Sequence, residues 1–144
     1  MRPNALVCAI VVLFATAACG NGNATTGGPS SNTPATPVAR PSSTAHLMIL
    51  EPKNGQVIAG ADVHVSLSLT GAKIVAATTT QITPSQGHVH IYLDNQIVAM
   101  NFGLTDDIPN VPAGDHILRA EFVASDHGPF DPRVFTAVTF QVNP

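Results

Sequence analysis

Two histidines stand two residues apart in the segment GHVHIYLD, which spans residues 87–94. In an extended strand, side chains two residues apart point to the same face, so His88 and His90 should lie side by side. Neutral imidazole is a ligand that suits Zn²⁺ and Cu²⁺, and two on one strand face could share an ion. Two ligands do not complete a site, because catalytic zinc takes three protein ligands and structural zinc takes four. The pair is therefore a candidate for part of a metal site.

The same strand indicates which way the two histidines face. Val89, Ile91 and Leu93 alternate with them and form an apolar side, which should face a core. We therefore expect both imidazoles, together with Tyr92, on the outer face and exposed to solvent. The alternative interpretation is a set of ordinary surface histidines in a domain that binds no metal.

A third ligand could come from the segment SDHGPFDPR, residues 125–133. If this segment and the strand of His88 belong to one sheet of a sandwich, the loop lies at one end of that sheet, where His88 begins. The candidate metal ligands are therefore His88, His90 and His127. Copper and zinc are the candidate ions, and no other cofactor is expected.

The same segment is also a candidate partner-binding loop. Gly128, Pro129 and Pro132 favour a rigid, irregular backbone, and the neighbouring Phe130 could be exposed at its tip. The residues proposed to contact a partner are Asp126, His127 and Phe130. The alternative is that Phe130 folds back onto the core.

The remaining residues carry no signature of a catalytic or nucleic-acid-binding protein. The chain lacks the G-x-S-x-G, P-loop, H-E-x-x-H and dinucleotide-binding motifs, so we expect no enzyme and name no catalytic residue. Its six Lys and Arg are scattered and the net charge is -3, which gives no basic surface for nucleic acid. Asp106 and Asp107 are interpreted as a solvated turn rather than a calcium site.

The N-terminus has the features of a secretory signal. Arg2 precedes an apolar run from Ala5 to Ala18, which is too short for a membrane span. The sequence TAACG at residues 16–20 resembles a bacterial lipobox. That resemblance implies that Cys19 becomes the first residue of the mature protein and carries acyl chains, which would anchor it to the cell membrane of a bacterium.

The predicted organisation has three parts. Residues 1–18 form the signal peptide, and residues 19–44 form the lipidated cysteine and a flexible tether rich in Gly, Asn, Ser, Thr and Pro. Residues 45–144 form one folded domain. Cys8 and Cys19 are the only cysteines, so this domain has neither a disulfide nor a thiolate ligand.

The domain is predicted to be all-β. Short alternating segments such as VHVSLSLT are separated by turn signals, and Asp94-Asn95 predicts a hairpin turn. KIVAATTTQIT is a further, less regular strand candidate. About seven strands in about 100 residues favour an antiparallel β-sandwich of immunoglobulin-like size.

Two segments resemble bacterial immunoglobulin-like domains: ILEPKNGQVIAGADVHVSLSLTG and VPAGDHILRAEF. In the second, His116 stands where a tyrosine is usual, which leaves the corner hydrogen bond of such folds in question. Residues 87–142 also resemble secreted bacterial domains of unassigned function that have a Gly-His-x-His strand and a late Asp-His-Gly-Pro segment. These resemblances imply the fold more than an activity.

The expected function is that of a lipid-anchored, extracytoplasmic protein of a bacterial cell envelope. Its immunoglobulin-like module would be presented to an envelope protein or polymer, with the membrane contacted only through the lipid. The alternative is a surface lipoprotein that binds copper or zinc through His88, His90 and His127.

Overall fold

The computed structural model describes residues 39–143. The predicted signal peptide, the lipidated Cys19 and most of the tether lie outside these residues, so they stay predictions. The described residues contain no helix long and apolar enough to cross a membrane.

Nine strands form two sheets in the described part of the chain, which confirms an all-β, immunoglobulin-like sandwich. The smaller sheet has the order β1-β3-β7, and the larger has the order β2-β9-β8-β5-β4, with β6 also paired to β5. The strands are β1 His46–Glu51, β2 Gln56–Ala59, β3 Val63–Thr70, β4 Lys73–Ile74, β5 Gln86–Leu93, β6 Gln96–Asn101, β7 Thr105–Ile108, β8 Gly114–Ala124 and β9 Pro129–Asn143.

The core lies between the sheets and follows the predicted alternation. Val63, Val65 and Leu67 of β3 point inward, as do Val89 and Ile91 of β5, and all five are buried. Because strand side chains alternate, the other face of β5 carries His88 and His90 away from this core. The predicted orientation of β5 is therefore confirmed.

Two strands were not predicted. β2 pairs in parallel with the C-terminal end of β9, a distant partner that no local pattern reveals. β7 contains Asp106 and Asp107, where a solvated turn was predicted, and it pairs with β3 at the edge of the smaller sheet. Asp is a poor strand former, so this segment is held by pairing and by the buried Ile108 rather than by propensity.

The predicted strand KIVAATTTQIT is much shorter in the structure. Only Lys73 and Ile74 pair with β5, opposite residues 86 and 87. From Val89 onward, β6 occupies that edge of β5, so the chain after Ile74 has no edge left there to pair with. Residues 75–85 instead run irregularly, and the Thr79 amide donates to the Ser125 carbonyl beside the β8–β9 loop.

Two local predictions concern the turn after β5 and the corner near β8. Asp94 and Asn95 have φ values of 48° and 70°, which identify the predicted hairpin turn as one with two left-handed residues. His116 faces inward as predicted, and its Nε2 lies 2.8 Å from the Pro112 carbonyl oxygen. His116 therefore contacts a backbone carbonyl at the corner, although it stands where a tyrosine is usual.

The ordered domain begins before the predicted boundary at residue 45. Arg40 forms two hydrogen bonds with the Asp126 carboxylate, and the Ser43 hydroxyl donates to the Pro84 carbonyl. The polar, Pro-containing composition of residues 40–44 predicts a flexible tether. Specific polar contacts, which composition does not reveal, attach them to the domain.

Candidate metal centre

The three candidate ligands meet at one end of β5. Nε2 of His88 lies 3.1 Å from Nε2 of His90 and 2.9 Å from Nδ1 of His127. One nitrogen of each ring lies within 4.8 Å of those of the other two. His88 and His90 come from one strand face and His127 from the loop after β8, which is the arrangement predicted from the sequence.

These distances are close to those of a metal-bound set. Nitrogens that bind zinc at about 2.0–2.1 Å in a tetrahedral arrangement lie about 3.3 Å apart. An outward movement of a few tenths of an ångström would open the cluster enough for an ion. The donor atoms are all imidazole nitrogens, a set that suits copper and zinc.

The predicted exposure of the strand histidines is wrong. His88 is 1% exposed and His90 is 6% exposed, although both lie on the outer face of the sheet. The ring of Phe102 covers His88 from the side of β6, with centroids 5.2 Å apart, and the ring of His127 covers it from the loop, at 4.4 Å. The outer face is therefore covered by segments distant in sequence, and only His127 is exposed.

The electrostatics of the cluster favour neutral imidazoles. The pKa of His88 is lowered from 6.5 to about 4. Burial is the main cause, and the neighbouring His127 and His90 contribute to the same shift. The pKa of His90 is also lowered, mainly by burial and by His127, while the carboxylate of Glu121 opposes the shift. At neutral pH both rings keep a nitrogen lone pair for a cation.

A network in the β8–β9 loop positions His127. The Asp126 side chain accepts a hydrogen bond from the Gly128 amide, and the His127 amide donates to the Ala124 carbonyl. His127 itself has a φ of 64°, a left-handed conformation that such a tight turn demands. The loop thus places the imidazole over the strand face, where its Nδ1 reaches His88 while the side chain stays exposed to solvent.

Arg40 fixes this loop from outside. Its guanidinium makes a bidentate pair with Asp126, and its Nε donates to the Pro129 carbonyl at 2.7 Å. The hydrogen bonds from Arg40 lower the pKa of Asp126 to about 2. A Cβ added at Gly128 would overlap the guanidinium, so the glycine makes room for this clamp. Sequence reasoning missed Arg40, whose only signal is a lone charge in an otherwise neutral segment.

The partner-binding interpretation of this loop needs correction at Phe130. The phenyl ring is 1% exposed and stacks on Phe122, with centroids 5.6 Å apart. The ring turns back onto the core because β9 already begins at Pro129, which ends the loop before Phe130. Asp126 is paired with Arg40, so of the three proposed contact residues His127 alone presents an exposed side chain.

Gly87 brings β5 and β8 together just before the first histidine. A Cβ at this position would overlap the carbonyl oxygen of Val123 and crowd Phe122. Glycine therefore allows the close approach that sets His88 beside the end of β8, where the loop carrying His127 begins. Gly87, the glycine of the Gly-His-x-His segment, therefore helps to position His88 in the cluster.

An ion pair between a buried carboxylate and a half-exposed guanidinium flanks the histidines on the side of β8. Glu121 lies opposite His90 in the strand register and is buried, and Arg133 donates to both of its oxygens at 2.6 Å. Tyr92 lies next to this carboxylate; burial and then the charge of Glu121 raise its pKa. A glutamate inside the apolar run AEFVA was the available sequence signal for such a pair, because a buried charge needs a partner.

The other histidines of the described residues lie elsewhere. His64 pairs with Asp107 at 2.6 Å on the smaller sheet, and His116 pairs with Asp94 at 2.7 Å. The hydrogen bond from Asp94 raises the pKa of His116. A groove of about 620 Å³ lies beside His116, between Val57 and Phe140, and does not include the three-histidine cluster.

Comparison with known proteins shows a fold and not a family. No protein-family model matches the chain, and no curated protein matches it. The fibronectin(III)-like modules of CbhA from Clostridium thermocellum superpose with a TM-score of 0.50 at 18% identity, over 67% of this chain and 93% of that chain. An endo-β-1,4-mannanase from Thermotoga petrophila matches with a TM-score of 0.46 at 14% identity, over 69% of this chain and 20% of the mannanase.

The likeness to the CbhA modules shows the fold alone. The domain is an immunoglobulin-like β-sandwich. Because folds of this kind carry many functions, the function has to be argued from the site itself.

Proposed function

We propose that this protein is an extracytoplasmic lipoprotein that binds copper or zinc through His88, His90 and His127. The observation that carries the proposal is the convergence of three imidazole nitrogens, one pair 2.9 Å and another 3.1 Å apart, at the end of one sheet. Three protein ligands are the number that open zinc sites use, with one position left for a further ligand.

The cluster is difficult to explain as packing alone. Without an ion, the ring nitrogens lie within hydrogen-bonding distance of one another, so one proton on His88 is shared between the lone pairs of His90 and His127. Adding protons is unfavourable, because His88 and His90 are buried and like charges would lie about 3 Å apart. A metal cation accepts all three lone pairs at once, so it satisfies the arrangement better than protonation does.

The location is proposed from the N-terminal sequence. A lipid on Cys19 would hold the domain at the outer side of the cell membrane through a tether of about 20 residues. With Gly, Ser, Thr and Pro, a chain of that length spans roughly 25 Å on average. The metal site would then be within reach of both the membrane surface and soluble envelope proteins.

The test is titration calorimetry of the full chain with Zn²⁺ and Cu²⁺. The wild type should bind one ion per chain, and the variant His88→Ala/His90→Ala should not. A matched control is His46→Ala/His64→Ala, which removes two exposed histidines outside the cluster and should leave binding unchanged. Equal binding by the wild type and the cluster variant would refute the proposal.

A module that presents a surface to an envelope protein or polymer is a second proposal. The observation that favours it is the row of exposed apolar side chains on β6, which includes Ile97 and Val98. Photo-crosslinking from a reactive residue placed at Ile97, in intact cells, should then capture one defined partner. A crosslink pattern identical to that of a residue placed at the exposed Val57 would count against it.

A further inference from the structure

The strand β6 brings one more soft donor to the face that carries the histidines. In the antiparallel pairing of β5 and β6, His90 lies directly opposite Met100. Directly opposed residues project their side chains to the same face, with Cβ atoms about 4.5–5.5 Å apart. Met100 is therefore the cross-strand neighbour of His90 on the side of the sheet where the three imidazoles meet.

The residue that follows β6 shows that this part of the chain reaches the cluster. Phe102 lies two residues beyond Met100, and its ring contacts the ring of His88 at 5.2 Å between centroids. Methionine is unbranched and has three rotatable side-chain bonds, so its sulfur can turn toward a neighbouring group. Met100 is 55% exposed, which leaves it room to do so.

The strand on the other side of β5 also offers a donor opposite His90, but that donor is engaged. Glu121 is the cross-strand neighbour from β8, and both of its oxygens accept hydrogen bonds from Arg133. Moving this carboxylate to a metal would break both of these charge-assisted hydrogen bonds. Of the two neighbours of His90, Met100 is the better placed fourth donor.

We propose that Met100 is the fourth ligand and that the centre binds Cu(I). Thioether sulfur is a soft ligand that selects Cu(I), whereas zinc sites in proteins use thiolate, imidazole and carboxylate. This inference rests on the proposed function, because it needs the three histidines to hold a metal. The exposure of His127 and Met100 makes two of the four ligands accessible from solvent, as transfer of the ion to or from a partner requires.

The affinity test uses the full chain in detergent under anaerobic conditions, with Cu(I) supplied as a complex of a colorimetric chelator that competes for it. The variant Met100→Leu keeps the volume of the side chain and should retain the fold. Its Cu(I) affinity should fall at least about tenfold, since loss of even an outer-shell partner costs 10–100-fold. The matched control Met48→Leu replaces a methionine that is 60% exposed on β1, and it should bind like the wild type.

The copper K-edge X-ray absorption spectrum identifies the ligand atoms directly. The wild-type spectrum should contain a sulfur scatterer beside the nitrogens, and Met100→Leu should lose it. Both proteins carry Cys8→Ser and Cys19→Ser in this experiment, because free thiols bind Cu(I) and would add sulfur scatterers of their own. Zn²⁺ affinity should be the same in both proteins.

Two results would overturn the inference and are distinguishable. If the wild type binds Cu(I) through its histidines and Met100→Leu binds it equally well with an unchanged spectrum, the ligand assignment is wrong while the three-histidine site stands. If the wild type binds neither Cu(I) nor Zn²⁺, the proposed function fails and the inference fails with it.

Discussion

Acidification should destabilise the metal-free domain through His88. The pKa of this histidine falls from 6.5 to about 4 on folding, because the ring is buried and lies beside two other imidazoles. The unfolded chain therefore takes up a proton before the folded one does. The contribution of the neutral ring to the free energy of unfolding is complete above pH 6.5 and is lost as the pH falls toward 4. Below pH 4 this loss levels off.

The size of the effect follows from the shift. Each pKa unit corresponds to 1.36 kcal/mol, so lowering the pH from about 7 to 4 should cost about 3 kcal/mol of the free energy of unfolding. That is a large share of the 5–15 kcal/mol that stabilises a typical domain. The pKa of His90 is also lowered, so its contribution has the same sign. His116 has a raised pKa and contributes with the opposite sign, since its stabilising effect is lost as the pH rises.

The assay is urea unfolding at a series of pH values in the presence of a chelator, extrapolated to zero denaturant. The variant His88→Gln removes the titrating ring and leaves His116 in place, so the difference in pH dependence between it and the wild type isolates His88. The variant His46→Gln, at an exposed position on β1, is the control and should follow the wild type. Parallel curves for wild type and His88→Gln between pH 7 and 4 would refute the reasoning.

Three further predictions concern the groups around the cluster. Arg40→Gln releases the loop that holds His127, so metal binding measured by calorimetry should weaken about tenfold, while the midpoint of thermal unfolding should change little. An unchanged affinity would mean that the loop keeps its conformation without the pair between Arg40 and Asp126. Phe130→Ala empties a core position and should cost about 3–5 kcal/mol in urea unfolding, against less than about 1 kcal/mol if the ring faced solvent. Glu121→Gln removes the charged partner of Arg133, whose guanidinium is half exposed and can be hydrated, so it should cost only about 1–2 kcal/mol in the same assay. A cost of about 4 kcal/mol or more would show that the guanidinium is cut off from water.

The orientation of strands could be predicted because alternation along a chain is a local property. His88 and His90 on one face, Val89 and Ile91 on the other, and the turn at Asp94 all follow from residue type and spacing. The meeting of His127 with the strand pair could be anticipated once one sheet was assumed to carry both segments.

What local patterns could not predict depends on segments distant in the chain. The burial of His88 comes from Phe102 and from the β8–β9 loop, and neither contact can be predicted from the sequence of β5. The clamp from Arg40 to Asp126 joins positions 86 residues apart. Met100 is placed opposite His90 only by the register of the hairpin, in which a bulge near Ile91 shifts the pairing.

The central claim is that the three histidines form one metal site, and His127 tests it most directly. This side chain is exposed and comes from a loop, so His127→Ala should leave the core intact and keep the unfolding midpoint of the metal-free protein. Calorimetric titration with Zn²⁺ and Cu²⁺ should show one ion bound per wild-type chain and at least about tenfold weaker binding by the variant. Equal affinity of the two proteins, or no binding by the wild type, would contradict the claim.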